Sequence, residues 1–217
     1  RQLVADASHE LRTPLTSMRM NIELLSRKDL PAVKRQEMFQ DVTAQLEELS
    51  ELVTDVTDLA RGKETYAELV AVSFDQLVVR EIERARLHSP SLTFRDEVEE
   101  CIVMGDESRI ERAVSNLLDN AAKWSPSDGV VEVKVSKGEL TVRDHGPGIS
   151  DQDLPFVFDR FYRSDSSRKL PGSGLGLAIV RKVAEDHGGW VSAENAMGGG
   201  AVMRLYICPI LESDSTV

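Results

Sequence analysis

The chain has 217 residues, 41% hydrophobic and 29% charged, which is enough for two small domains or one of moderate size with a proper core. Its net charge of −11 argues against a nucleic-acid-binding surface, which needs clustered Lys and Arg. Two cysteines, Cys101 and Cys208, and four scattered histidines, His9, His88, His145 and His187, give neither a disulfide framework nor a zinc spacing and suit a reducing cytosol, and no apolar run reaches the roughly 20 residues that span a bilayer.

The chain starts inside a helical pattern with neither an N-cap nor a methionine, so an excised fragment with a missing upstream part is expected. Val4, Ala7, Leu11, Leu15, Met18, Ile22 and Leu25 recur at steps of three and four and predict the buried stripe of a helix from about Gln2 to Arg27, ended at Lys28-Asp29-Leu30-Pro31. His9 is off that stripe. At roughly 100° per residue it lies about 200° from Ala7 and from Leu11, facing solvent, with Thr13 one turn along the same face. A carboxylate such as Glu10 can take the proton of one ring nitrogen and leave the other free to attack an electrophile. An isolated His-Glu pair is ordinarily just surface. Pro14, however, removes a backbone hydrogen bond inside the helical pattern and bends the helix just past the histidine, which makes His9 a candidate nucleophile.

A second helix carries the stripe Val42, Leu46, Leu49, Val53, Val56 and Ala60 and stops at Arg61-Gly62. One hairpin cannot cover its own apolar faces, and pairing with a second copy predicts a four-helix bundle. Taken alone, the second helix would also fit a dimeriser with no chemistry. The expected organisation is a helical domain at 1–61, a polar linker at 62–68, a mixed α and β domain at 69–210 and a disordered polar tail at 211–217. Within the mixed domain the pattern predicts helices at Phe74–Leu87, Asp106–Trp124 and Leu175–Asp186, the second N-capped by Asp106 and the third closed by Gly188-Gly189. Strands are predicted at Leu92–Val98, Cys101–Met104, Val130–Ser136, Glu139–Arg143 and Ala201–Ile207.

The helix from Asp106 has a core face of Ile110, Ala113, Val114, Leu117, Leu118 and Ala121, with Asn116, Asn120 and Lys123 on an adjoining polar face. Amide oxygens are hard ligands suited to Mg²⁺, and a lysine one turn on can meet phosphate. Asp144-His145-Gly146-Pro147-Gly148-Ile149 follows a strand, and an aspartate there can accept a hydrogen bond from an exocyclic amine such as that of adenine. Pro171-Gly172-Ser173-Gly174-Leu175-Gly176-Leu177 opens the last helix, where exposed amides and the positive dipole end form a phosphate cradle. Leu177 stands where a dinucleotide fingerprint needs glycine, and the Gly-Lys-Ser/Thr of a P-loop never occurs. The segment between the glycine clusters, with Phe156, Phe158, Arg160, Phe161, Tyr162 and Arg163, reads as a mobile lid over about 150–173.

In this order the pieces resemble the sensor histidine kinases of bacterial two-component systems. Ser8-His9-Glu10-Leu11-Arg12-Thr13-Pro14-Leu15 is similar to their H box, Asn116–Ser125 to the N box, Asp144–Ile149 to the G1 box, Phe156–Arg163 to the F box and Gly172–Leu177 to the G2 box. The likeness covers nearly the whole chain and is nearest to actinobacterial envelope-stress kinases of the mycobacterial persistence type. It implies a dimeric four-helix bundle followed by an α+β two-layer sandwich of the Bergerat (GHKL) type. It also implies autophosphorylation of His9 from Mg-ATP and transfer to an aspartate on the receiver domain of a response regulator. By that resemblance Mg²⁺ falls to Asn120 supported by Asn116, the phosphates to Lys123, Arg163 and the turn Gly172, Ser173, Gly174, Leu175, Gly176, Leu177, and adenine to Asp144. Trp124, Gly146, Gly148, Ile149 and Arg160 complete the nucleotide-binding set, and Glu10 would orient and deprotonate His9. Glu10-Leu11-Arg12-Thr13 is similar to the E-x-x-T of kinases that dephosphorylate their partner, with Thr13 positioning water. Trp124 departs from the usual Tyr or Phe but keeps an aromatic, and His145 fills a variable slot. Related ATPases place a glutamate where Asn116 stands, and an amide cannot serve as that base. The parent implied is membrane-anchored, with this part on the cytoplasmic side. The competing readings are a GHKL-type ATPase and a non-catalytic dimeric scaffold.

Overall fold

The computed structural model describes residues 2–25, 31–60, 69–165 and 172–210; the expected linker at 62–68, part of the expected lid and the tail at 211–217 lie outside the described residues. The described residues form two compact units. One holds the first two helices with 163–165 and 172–175, and the other holds 69–162 and 176–210.

In the helical unit, α1 spans Gln2–Leu25 and runs through Pro14 as one helix, and α2 spans Ala32–Ala60. Of the stripe expected on α1, Ala7 and Met18 are buried while Leu15 and Ile22 stay 51% and 53% exposed. On α2 the stripe is displaced from its expected place. Met38, Leu52 and Leu59 are buried, on the seven-residue row that includes Gln45, whereas Leu46 and Val53 are each 50% exposed. Gln45 lies on the buried row: its Nε2 donates to Ser17 Oγ at 3.1 Å, so a polar residue sits in the seam between the two helices.

The second unit is an α+β sandwich. Its elements are β1 (Val70–Ser73), α3 (Phe74–His88), β2 (Thr93–Val98), β3 (Ile102–Gly105), α4 (Glu107–Trp124), β4 (Val130–Ser136), β5 (Glu139–Arg143), α5 (Gly176–Asp186), β6 (Trp190–Asn195) and β7 (Ala201–Tyr206). Five strands form one sheet in the order β2-β4-β5-β7-β6, with β2 and β4 parallel and the other neighbours antiparallel. β1 and β3 pair separately, antiparallel. Strand alternation gives the sheet one apolar face, with Val131, Val133 and Val135 from β4, Leu140 and Val142 from β5, and Met203 and Leu205 from β7 all buried. The buried stripes of α3, α4 and α5 complete the core: Leu77 and Ile82, Ile110 and Leu117, and Ile179 and Val183.

β1 and β6 were not anticipated from the sequence. β1 has four residues and pairs with β3 beyond α3 and β2, and β6 is an edge strand without clean alternation that pairs with the next strand, β7. The start of α4 matches its signal, since the Asp106 carboxylate accepts from the Ser108 and Arg109 amides. The Asp106 amide in turn donates to Nε2 of buried His187 at 3.0 Å, so the imidazole proton sits on Nδ1, which donates to Val183 O at 2.7 Å. This contact fixes the start of α4 against the end of α5.

Candidate functional site

α4 carries the polar face that the spacing anticipates. Asn116 and Asn120 are half-buried one turn apart, and Lys123 and Trp124 close the helix. Nδ2 of Asn116 is buried without a hydrogen-bond partner, an unmet donor in a site otherwise well satisfied. Its Oδ1 lies against Gly176, the first residue of α5, where an added Cβ would come within 3.3 Å. Gly176 and Leu177 are thus brought to the Asn116 face.

Asp144 is the best-built part of the site. It is 3% exposed, and its Oδ1 accepts from Gly146 N at 2.8 Å and from Ala201 N at 3.2 Å. Its own amide donates to Ala201 O at 3.0 Å. A buried carboxylate held this way on one oxygen has the other positioned for an external donor, and charge-assisted bonds to backbone amides keep it aimed. The glycines are needed for space. A Cβ at Gly146 would come within 2.2 Å of Trp124 O, and one at Gly200 within 1.9 Å of Asp144 O, so the end of α4, the Asp144 loop and the β6–β7 turn touch backbone to backbone. His145 points away from this chemistry, its Nε2 lying 2.8 Å from Oε1 of Glu132.

The first part of the expected lid carries local structure. Leu154–Phe156 form a 3₁₀ turn, successive backbone bonds tie residues 150 to 162, and Tyr162 Oη donates to Asp153 Oδ1 at 2.5 Å beside a Phe156–Tyr162 ring contact of 5.7 Å. The Tyr162 hydroxyl, helped by Ser150, holds the Asp153 carboxyl below its ordinary range. Arg160 is exposed and Arg163 half-buried. Gly172–Leu175 do not open the last helix, which starts at Gly176; they belong to the helical unit, where Ser173 Oγ donates to buried Asp55 at 3.2 Å and accepts from the Leu175 amide at 3.2 Å. Gly176 and Leu177, the rest of the expected glycine turn, fall in the α/β unit. His9, Glu10 and Thr13 all fall within α1, but their side chains lie outside the described residues.

The residues present suit a nucleotide with its magnesium. They offer one aimed carboxylate oxygen for a base, an unmet amide donor, amide oxygens as neutral hard ligands, and glycines where backbone must come close. Among the described residues no group of three His, Cys, Asp or Glu side chains could hold a metal ion.

Residues 105–210 match the family described as histidine kinase-, DNA gyrase B-, and HSP90-like ATPase, and residues 1–65 match the His Kinase A (phospho-acceptor) domain. A solved structure of the mycobacterial sensor histidine kinase MprB superposes with a TM-score of 0.60 at 41% identity, over 65% of this chain and 100% of that one. The chain belongs to the sensor histidine kinase family. Signal transduction histidine-protein kinase/phosphatase MprB of Mycobacterium ulcerans is 47% identical over 97% of this chain and 43% of that protein, and its Mycobacterium tuberculosis namesake is 48% identical over 92% and 42%. The chain thus spans about two fifths of the length of the curated relatives it matches. The histidine kinase AdeS of Acinetobacter baumannii, at 24% identity and a TM-score of 0.69, shares the fold over 92% of this chain and 98% of that one. No described helix of this kinase chain is long and apolar enough to cross a membrane.

The sequence did not single out the supports of the Asp144 loop: Asn195, whose side-chain amide bonds the Ile149 main chain, Gly200 and the Ala201 amide. The run Gly198-Gly199-Gly200 before a strand was the available signal, because three consecutive left-handed residues mark backbone built for close approach.

Proposed function

We propose that this chain is the catalytic core of a two-component sensor kinase that autophosphorylates His9 from Mg-ATP. The phosphoryl group then passes to an aspartate of a response regulator receiver domain, and the regulator is also dephosphorylated with help from Thr13. The observation that carries this reading is Asp144, a buried carboxylate fixed on one oxygen by two backbone amides, set on a chain whose first helix bears His9-Glu10. Asp144 selects the amine of adenine. Asn120, supported by Asn116, carries the magnesium, and Lys123 with Arg163 and the Gly172–Leu177 turn offsets phosphate charge. Phosphoryl transfer depends on in-line placement and charge neutralisation more than on covalent help, so the protein's task is to position. Glu10 takes the proton from one imidazole nitrogen of His9 and leaves the other free to attack. Asn116 leaves water without a base, which favours His9 as acceptor over steady hydrolysis.

The half-exposed Leu15, Ile22, Leu46 and Val53 favour a second copy of the hairpin as the cover for these helices, giving a homodimeric four-helix bundle. The same reading places the chain on the cytoplasmic side of a membrane-anchored parent. Incubation with γ-labelled ATP and Mg²⁺ tests the activity. Acid-labile, alkali-stable label is expected on the parent and absent from His9→Gln. Steady ATP hydrolysis without labelled protein would favour the ATPase alternative.

A further inference from the structure

We propose that Asn195 is a positioning residue for nucleotide binding, its side-chain amide holding the Ile149 end of the loop whose other end is the Asp144 carboxylate. The inference rests on the nucleotide reading of that loop. Asn195 is the last residue of β6, 46 positions from Ile149. Its Oδ1 accepts from the Ile149 amide at 2.7 Å, and its Nδ2 donates to the Ile149 carbonyl at 2.7 Å. A carboxamide offers one donor and one acceptor side by side, and here it satisfies both main-chain groups of a single residue. Aspartate would offer acceptors only, and alanine neither.

The clamp acts at the least constrained point of the loop. Gly148 has φ +76°, and a Cβ there would come within 2.8 Å of Asn195 Oδ1, so the side chain passes directly beneath a residue free to take many conformations. Beyond Asn195 the turn is closed by Ala196 N to Gly200 O at 2.9 Å and Gly199 N to Ala196 O at 3.1 Å. It leads into Ala201, whose amide donates to Asp144 Oδ1. One connection, β6 to β7, therefore grips the Asp144 loop at both ends. A loop held at one end only would have to be ordered by the ligand, at the cost of affinity. Because Asn195 is exposed, changing it opens no core.

The test uses the full chain with Asn195→Ala and Asn195→Asp. It measures the Kd for Mg-ADP by calorimetry, exchange of the Ile149 amide without nucleotide, and Tm. Asn195→Ala should weaken Mg-ADP by about tenfold, the worth of two modest hydrogen bonds, and speed Ile149 exchange, with Tm falling by about 3–6 °C while the cooperative transition is kept. Asn195→Asp should keep the Ile149 amide protected yet still weaken binding, because a carboxylate replaces the donor facing the carbonyl. Both variants binding Mg-ADP within about twofold of the parent would overturn the proposal, as would unchanged Ile149 exchange in Asn195→Ala. A parent that binds no Mg-ADP would instead overturn the nucleotide reading, and this inference with it.

Discussion

The two units bury their apolar residues to different degrees. In the α/β unit the large side chains Phe74, Leu77, Leu140 and Leu205 have no exposure, and three helices seal one face of the sheet. In the helical unit Leu15, Ile22, Leu46 and Val53 keep half their surface open, and the seam includes Gln45. The difference teaches that one unit has a core of its own, while the other holds an amphipathic pattern that its own chain only half consumes. The two should therefore respond differently to mutation, dilution and pH.

The largest contrast is expected from the core. Leu117→Ala removes a 1%-exposed side chain of α4 and should destabilise the α/β unit by about 2–5 kcal/mol. Calorimetry should show that unit's transition move down while the hairpin's stays. A common shift of both would show the two to be one cooperative body and break the comparison.

Dilution is the complementary probe. If a second copy covers α1 and α2, the hairpin transition should rise with protein concentration while the α/β transition does not. Val53→Asp should remove this dependence and cost the paired state on the order of 1–3 kcal/mol, since it places a charge where a half-exposed valine awaits burial. Sedimentation across a concentration series checks it, and an unchanged dimer would mean that another face pairs.

A smaller effect concerns Asp186, which joins the end of α5 to α4. Burial pushes its carboxyl up, but Lys182 and Arg109, the latter at 2.5 Å, outweigh that and hold it below its ordinary range. A lowered folded pKa means stability that is present above the unfolded value and is lost as pH falls through the folded one. Asp186→Asn should cost roughly 1–2 kcal/mol near neutrality, discounted because Arg109 is a third exposed, and nothing in acid below both values. Tm against pH for the α/β unit would show the two curves merging as the pH drops.

What could be read from the sequence was what is local. Ile110 to Ala121 alternate with Asn116, Asn120 and Lys123 within one helix, and Asp106 stands where an N-cap must, so α4 and its polar face were legible from spacing alone. Asp144 was legible as an isolated carboxylate after a strand. Its support was not, because the Ala201 amide lies 57 positions away and Asn195 reaches Ile149 across 46. β6 escaped because Trp190–Asn195 carries an edge-strand pattern that becomes a strand only beside β7. The seam of α2 was misplaced because two rows compete. The row through Leu46 and Val53 is the more apolar, yet the row with Gln45 is the one that faces α1. A helix with two competing apolar rows cannot say from spacing alone which of them its own chain covers.

Glu81 gives the smallest expected effect, with the opposite sign to Asp186. Its side chain on α3 is 3% exposed, with Arg84 Nη1 at 3.1 Å from Oε1, and the same Arg84 nitrogen lies 3.0 Å from Glu111. Burial pushes its carboxyl up. Arg84 opposes this, but the negative charges of Glu111 and Asp119, and the hydrogen bond to Glu111, add to the rise. A raised folded pKa means stability that is complete below the unfolded value and declines as pH rises through the folded one. Gln keeps the shape and cannot ionise, so Glu81→Gln should match the parent in acid and exceed it near neutrality by roughly 0.5–1 kcal/mol, a modest gain because Arg84 then loses one of its two carboxylates. Tm against pH should thus show Glu81→Gln and Asp186→Asn diverging from the parent in opposite directions over the same rise in pH. If Glu81→Gln instead falls below the parent near neutrality, the shared Arg84 outweighs the cost of burying the charge, and the α3–α4 contact gains from its ion pairs as well as from its apolar seam.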